Sequence, residues 1–298
     1  PVTPVSPSGC VTPAAATRAV REAVGFPVTV VDAGLAESTA APTVDLDAGP
    51  GADIRRRTAV PTAAALFERA RELGATLPDE SLLVGETIPG GTTTALAVLT
   101  ALGEPLGVSS SLPDNPIERK RSIVEEALRT SGLRSGDCLG APVEAVACVG
   151  DPVQAVVAGI AAGALESGAD VTLAGGTQQL AVAALLRHAG VDDPLAVATT
   201  SFVADDPSAD LAAAASRLDL ELRVTDPGFD AGERVAMERY CAGEAKEGVA
   251  MGGALSLVPD GRMAAVRERF VAVCERLGAD ANGESAPDPE PADATGVE

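Results

Sequence analysis

Apolar residues along this chain fall into short runs, and one arrangement recurs: an apolar run, a loop of small residues, then a helical pattern. Leu82-Leu83-Val84 leads through Gly85-Glu86-Thr87-Ile88-Pro89-Gly90-Gly91-Thr92-Thr93-Thr94 into a helix over residues 95–102. Val171-Thr172-Leu173 leads through Ala174-Gly175-Gly176-Thr177-Gln178-Gln179 into a helix ending near His188. The run 195–199 leads through a loop at 201–208 into a helix over 209–218. Such short, uniformly apolar runs predict strands buried on both faces. Their alternation with helices predicts an α/β fold, a doubly wound, mostly parallel sheet flanked by helices, Rossmann-like, with a small subdomain from the chain ends. In such sheets ligands bind outside the carboxyl ends of the strands, where these loops sit.

Around that core the pattern predicts further elements. Thr12-Pro13 opens a helix over Ala14–Val24, with Thr as cap and Pro at the first position. Residues 26–32 read as a buried strand, and residues 40–60, with Arg55-Arg56-Arg57, as a loop. Residues 62–73 form an amphipathic helix, Asn115-Pro116 opens another, and a strand over 142–149 precedes a helix from Asp151-Pro152. Beyond Gly278 the acids Asp280, Glu284, Asp288, Glu290, Asp293 and Glu298 alternate with prolines and no base, the composition of a disordered tail. The organisation expected is one α/β domain over 1–277 and a disordered acidic tail over 278–298. Pro1, Pro4, Pro7 and Pro13, with no initiator Met, suggest a loop entered partway through a longer gene, with an upstream segment missing.

Charge narrows the function. With 22 basic and 43 acidic residues among 298, the net charge of −21 argues against a nucleic-acid-binding body, whose phosphates it would repel. No apolar run reaches the ~20 residues of a membrane span and no basic-then-apolar leader opens the chain, so a soluble, cytoplasmic protein is expected. Lys120 and Lys246 are the only lysines; every other basic residue is Arg. The acidic, lysine-poor composition suits a salt-rich cytoplasm that screens self-repulsion, or a GC-rich genome more plainly. Five scattered cysteines without a Cys-x-x-Cys read as free thiols. His188, the single histidine, reads as the last turn of a helix, where a cation suits the dipole. A zinc site or a His-dependent triad is therefore not expected, and a general base here is a carboxylate.

Three segments carry candidate chemistry. In the Glu86–Thr94 loop, Gly90-Gly91 lets the backbone approach a ligand, and Thr92-Thr93-Thr94 supplies hydroxyls and amides at a helix N-terminus. The loop reads equally as a plain strand-to-helix turn, and it is neither a P-loop nor Gly-x-Gly-x-x-Gly. Lys120, rare as Lys in this chain, reads as a compact cation aimed at one anion or as part of a solvated helix face. Glu247 in Lys246-Glu247-Gly248-Val249-Ala250-Met251-Gly252-Gly253 is a carboxylate among glycines, either a base over a ligand or a charged helix end.

Four segments in this order, Val-Gly-Glu-Thr-Ile-Pro-Gly-Gly-Thr-Thr-Thr, Glu-Arg-Lys-Arg-Ser-Ile-Val-Glu-Glu-Ala-Leu, Leu-Ala-Gly-Gly-Thr-Gln and Lys-Glu-Gly-Val-Ala-Met-Gly-Gly-Ala, together resemble the nicotinate-nucleotide:dimethylbenzimidazole phosphoribosyltransferases, in their archaeal branch. The resemblance spans residues 2–258. It implies transfer of ribose 5-phosphate from nicotinate mononucleotide to a benzimidazole-type base, with inversion at C1′, in cobamide lower-ligand assembly. It implies Glu247 as general base, Lys120 as phosphate contact, and Glu86, Gly90, Gly91, Thr92 and Thr93 as the mononucleotide segment. Gly175 and Gly176 are implied as a second phosphate-side loop. It further implies a homodimer and neither metal nor cofactor, since nicotinate leaves without pyrophosphate. The chain departs from bacterial members at Gly91, where they carry Asn, and at Ala174, where they carry Asp. A non-catalytic mononucleotide-binding or sensing paralogue is the alternative.

Overall fold

The apolar runs at 82–84, 171–173 and 195–199 lie side by side in one parallel sheet. The computed structural model describes residues 4–77 and 80–279. Helix α1 (Ala14–Val24) precedes the two-residue strands β1 (Val31–Asp32) and β2 (Val44–Asp45), then α2 (Ala63–Thr76). Next come β3 (Ser81–Gly85), α3 (Gly91–Leu102), α4 (Ile117–Ser131), α5 (Pro142–Val149) and α6 (Pro152–Glu166). They are followed by β4 (Asp170–Ala174), α7 (Thr177–His188), β5 (Ala196–Thr200), α8 (Ser201–Ala204), α9 (Leu211–Arg217) and β6 (Glu221–Thr225). A 3-10 turn at Phe229–Ala231 leads to α10 (Val235–Cys241), α11 (Met251–Ser256) and α12 (Met263–Arg276).

The main sheet has the order β3-β4-β5-β6, all parallel, as expected of an α/β fold flanked by helices. Alternation sorts its side chains. Val84, Val171, Leu173 and Val197 enter the larger core, which α6 and α7 also line. Ala174 and Ala198, paired in register, face the other way, toward α11. These alanines let α11 approach so closely that a Cβ on Gly253 would meet the Ala174 methyl. A second core lies at the chain ends, where α1, α10, α11 and α12 enclose Phe229, Tyr240, Met251 and Phe270.

Four expectations are corrected. Residues 142–149 form α5, a helix: Pro142 suits its first turn, and Ala145, Val146 and Val149 bury one helical face, a pattern an eight-residue apolar run shares with a strand. Of residues 26–32 only Val31–Asp32 pairs as strand, because Pro27 lacks a donor and Val28 and Val30 stand 47% and 50% exposed. Within the 40–60 loop, Val44–Asp45 supplies the partner of that short strand. The 201–208 loop begins with a helical turn, α8. Strand β6 has no apolar run to betray it, since it is an edge strand carrying Glu221 and Arg223. The acidic tail beyond Ala279 lies outside the described residues.

Candidate active site

Helix N-termini and loops gather at the carboxyl ends of β3, β4 and β5. After β3 the chain turns through Glu86 to Gly90, which has φ 75°, and α3 begins at the buried Gly91. Gly91 is packed against Gln178 of α7 and Ile88, leaving no room for a Cβ. The Gln178 amide Nε2 donates to Glu86 Oε2 at 3.0 Å and so ties the first loop to the second. Thr92 and Thr93 are half-buried in the first turn of α3, where the Thr93 N–H donates to Gly90 O at 2.8 Å. Thr94, the third threonine of the loop, donates its hydroxyl to Asp151, which also caps α6 by accepting from the Gln154 N–H at 2.9 Å. Gly175 and Gly176 follow β4 and lead into α7, and a Cβ on Gly176 would stand 3.8 Å from the Glu247 Cβ.

Glu247 lies between α10 and α11. Its Oε1 accepts from the Gly248 and Gly252 N–H groups, each at 3.0 Å, and its Oε2 from Gly252 at 3.0 Å. The loop around it is strained. Ala245, Val249 and Ala250 have φ of 54°, 53° and 60°, the left-handed region that non-glycine residues avoid. Each such residue costs ~1–3 kcal/mol and persists only where its surroundings over-determine it. Here they do: Ala245 N–H donates to Ser111 O at 2.9 Å and Val249 N–H to Glu86 O at 3.0 Å. Thr200 Oγ1 donates to Lys246 O and Thr17 Oγ1 to Val249 O, both at 2.6 Å.

Burial raises three carboxylates here. Glu86 is pushed up to about 8, by burial first and then by the neighbouring Asp151 and Glu247 charges, against the Gln178 hydrogen bond. Burial pushes Glu247 up to about 7, its backbone amide donors opposing. Asp151 is raised by burial, and the Thr94 and Gln154 bonds oppose this. Such a cluster has the properties of a general base operating near neutrality. It also sets a stability prediction. The folded chain keeps the Glu86 proton above the ordinary value of 4.5, so the stability this provides is full below 4.5 and lost as pH rises through about 8. Glu86→Gln keeps the shape and cannot ionise. It is expected to raise the urea midpoint at about pH 8.5 and leave it nearly unchanged at about pH 5. An equal effect at both pH values would contradict the assignment.

Both lysines are buried beside these loops, at 5% exposure for Lys120 and 7% for Lys246. Lys120 Nζ donates to Ser109 O at 2.7 Å and Asn115 Oδ1 at 2.9 Å. The Ser109 N–H donates to Thr177 Oγ1 at 3.3 Å, which links Lys120 through Ser109 to the first residue of α7. Lys246 Nζ donates to Asp206 Oδ2 at 2.7 Å. Burial lowers Lys120 to about 8, with Asp206 raising it and Lys246 lowering it. Burial also works to raise Asp206, but the Lys246 and Ser208 hydrogen bonds prevail and hold it below its ordinary value. Two ammonium groups around one carboxylate leave a buried positive charge within an acidic protein, the electrostatics of an anion site.

Thus the structure gathers Glu86, Gly90, Gly91, Thr92, Thr93, Lys120, Gly175, Gly176 and Glu247 at one end of the sheet. Sequence reading missed Asp151, Gln178, Thr200 and Asp206 as members of the site. Lys246 carried the same signal as Lys120, scarcity, without being selected. His188 ends α7 at the opposite end, where its Nδ1 accepts from the Gly140 N–H at 3.1 Å and its Nε2 meets Glu104 Oε1 at 3.0 Å. It lines an open hollow of ≈ 440 Å³ with Glu104 and Arg217, remote from the carboxyl ends of the strands.

A parallel sheet flanked by helices, with loops and helix N-termini gathered at its carboxyl edge, defines an α/β fold. Two crystal structures from Thermus thermophilus share it. One is described as a nicotinate-nucleotide-dimethylbenzimidazole phosphoribosyltransferase (TM-score 0.59, 21% identity, 89% of this chain and 74% of that one). The other is described as CobT (TM-score 0.60, 22% identity, 87% and 73%). Likeness at that identity shows the fold. A family model described as phosphoribosyltransferase matches residues 2–224, and the chain belongs to that family. The resemblance carried by the four sequence segments, to the archaeal branch of the nicotinate-nucleotide:dimethylbenzimidazole enzymes, holds. Relatives named UPF0284 protein occur in Halobacterium salinarum (58% identical over 280 residues, 93% of this chain and 84% of that protein) and Methanosarcina mazei (41% over 262 residues, 86% and 75%). The protein is a transferase of the phosphoribosyl class, and no helix among its described residues is long and apolar enough to cross a membrane.

Proposed function

We propose that this chain transfers ribose 5-phosphate from nicotinate mononucleotide to a benzimidazole-type base, yielding the α-ribazole phosphate of cobamide assembly and free nicotinate. The observation that carries this reading is the Glu247 carboxylate, raised toward neutrality and held by backbone amides beside the Gly175-Gly176 loop. In the proposed reaction the base nitrogen attacks C1′, the nicotinate nitrogen leaves with the bonding electrons, and Glu247 takes the proton released from the attacking ring. Glu86 and the Gly90–Thr93 turn flank the ribose, and Lys120 holds the phosphate. This division of labour suits a loose displacement, which needs orientation and a tuned base rather than covalent chemistry.

The direct test is incubation with nicotinate mononucleotide and a panel of bases, following nicotinate by chromatography. Base-dependent release supports the transferase. Mononucleotide binding without release would instead establish a binding or sensing protein. A pH dependence follows from the same groups. Glu247 must be deprotonated to act, so kcat/KM rises as pH passes about 7. Lys120 must be protonated to hold phosphate, so kcat/KM falls as pH passes about 8. The expected profile is a narrow bell, and Lys120→Met is expected to remove its alkaline limb along with ~10–100-fold of donor affinity. A profile flat from about pH 6 to 9 would exclude these roles.

A further inference from the structure

Glu247 is presented by a strained loop, and one buried charge pair grips that loop at the adjacent residue. We propose that Lys246, clamped by Asp206, is a positioning residue that fixes the 245–250 loop and thereby the Glu247 carboxylate, and that it couples this loop to Lys120. The proposal rests on the reading of Glu247 as the base.

The geometry is a continuous chain of hydrogen bonds. Lys246 Nζ donates to Asp206 Oδ2 at 2.7 Å, and Ser208 Oγ donates to Asp206 Oδ1 at 2.6 Å. Asn115 Nδ2 donates to Ser208 Oγ at 2.8 Å, and Lys120 Nζ donates to Asn115 Oδ1 at 2.9 Å. Each link has a donor facing an acceptor, so the phosphate-side lysine and the base loop are joined through two side chains and one carboxylate. The Lys246 backbone is gripped as well, its carbonyl accepting from Thr200 Oγ1 at 2.6 Å. Position 246 therefore has both its main chain and its side chain fixed, between the left-handed Ala245 and the base itself.

A buried ion pair is weak evidence for a role in stability, because apolar residues of similar size replace such pairs with little loss. What the pair supplies is a fixed position. Lysine acts here as a compact charge reaching one carboxylate oxygen, in a chain that otherwise uses arginine. The loop's other neighbours do not hold position 246 by charge. Glu86, from the β3 loop, is a carboxylate of the same sign as Glu247 and is raised by it, and Tyr240 of α10 is a buried neutral phenol. Freed of the clamp, the loop relaxes its left-handed residues and Glu247 moves toward water.

The test compares the native chain with Lys246→Met/Asp206→Asn, which removes both charges of the pair together, so that Lys120 loses the opposing influences of Asp206 and Lys246 at once, and with Lys246→Arg. Lys246→Met alone strands Asp206 and serves only to compare melting temperatures. The first readout is the carboxyl 13C titration of Glu247, assigned by its loss in Glu247→Gln. The native midpoint is expected near 7, and the double variant's is expected to move by about one pH unit or more toward the ordinary value of 4.5. Lys246→Arg, which restores a cation to Asp206, is expected to recover at least half of that shift. A folded double variant whose midpoint stays at the native value overturns the proposal. The second readout is turnover: kcat is expected to fall at least about tenfold in the double variant, with donor KM within about threefold, the sign of a misplaced base rather than lost binding. An unchanged kcat also overturns it. If the native chain shows no base-dependent nicotinate release, the proposed activity fails while the carboxyl titration still decides the role of Lys246.

Discussion

Glu247→Gln is expected to lower base-dependent nicotinate release by ~10²–10⁴-fold, the usual worth of a positioned general base. The substitution is conservative in shape, and its amide oxygen can accept from the Gly248 and Gly252 N–H groups that now meet Glu247 at 3.0 Å. Nor does it remove a charge on which the fold depends, since burial already favours the protonated form up to about pH 7. The variant should therefore fold, bind nicotinate mononucleotide within a few-fold of the native chain, and fail in the chemical step. The measurement is kcat, with donor affinity determined separately by calorimetry. The acid limb of the pH profile should vanish with the carboxylate. Retention of the native rate would remove Glu247 from the chemistry and reopen the assignment of every other residue around it.

The second large effect concerns no functional group. Gly252→Ala places a methyl against the Thr199 backbone and 2.6 Å from Glu247 Oε2. Neither neighbour can yield easily, because Thr199 lies in the fully buried strand β5 and Glu247 is tied to the very amide of residue 252. Overpacking of this kind costs ~1–3 kcal/mol. A melting temperature lower by roughly 2–10 °C is the expected thermal result. Activity should fall further than stability explains, because relief of the clash moves α11 and the carboxylate it holds. The same methyl at Gly90, whose Cβ position is open, meets within the protein only the cost of φ 75° and serves as the control for the melting temperature. Equal losses of melting temperature at the two glycines would show that close approach at residue 252 is unimportant.

Much of the fold was legible in the local pattern. The strand-loop-helix repeats placed β3, β4 and β5 within a residue or two, because a strand buried on both faces reads as an apolar run and the helix after it needs a loop of small residues. The pattern failed where one run of residues suits two structures. Residues 142–149 are apolar enough for a strand, and only the helical face they bury among α2, α4 and α6 decides for α5. Strand β6 was invisible for the opposite reason, since an edge position lets Glu221 and Arg223 stand outside the core. The candidate residues Glu86, Lys120 and Glu247 were found through motif and rarity. Their partners were not, since Asp206 and Asp151 are ordinary acids among many until folding buries them.

By itself, then, the sequence determined the α/β repeat, the loops at the carboxyl edge of the sheet and the residue types offered there, because periodicity and loop composition are local properties. The tertiary structure decided which of those residues meet. Gln178 reaches Glu86 across 92 positions, and Lys246 reaches Asp206 across 40. It also decided which carboxylates are raised and which is lowered, since desolvation and charge pairing depend on neighbours in space. And it decided that the Glu247 loop is strained, because left-handed alanine and valine persist only under contacts drawn from α1, β5 and the segments after β3 and α3.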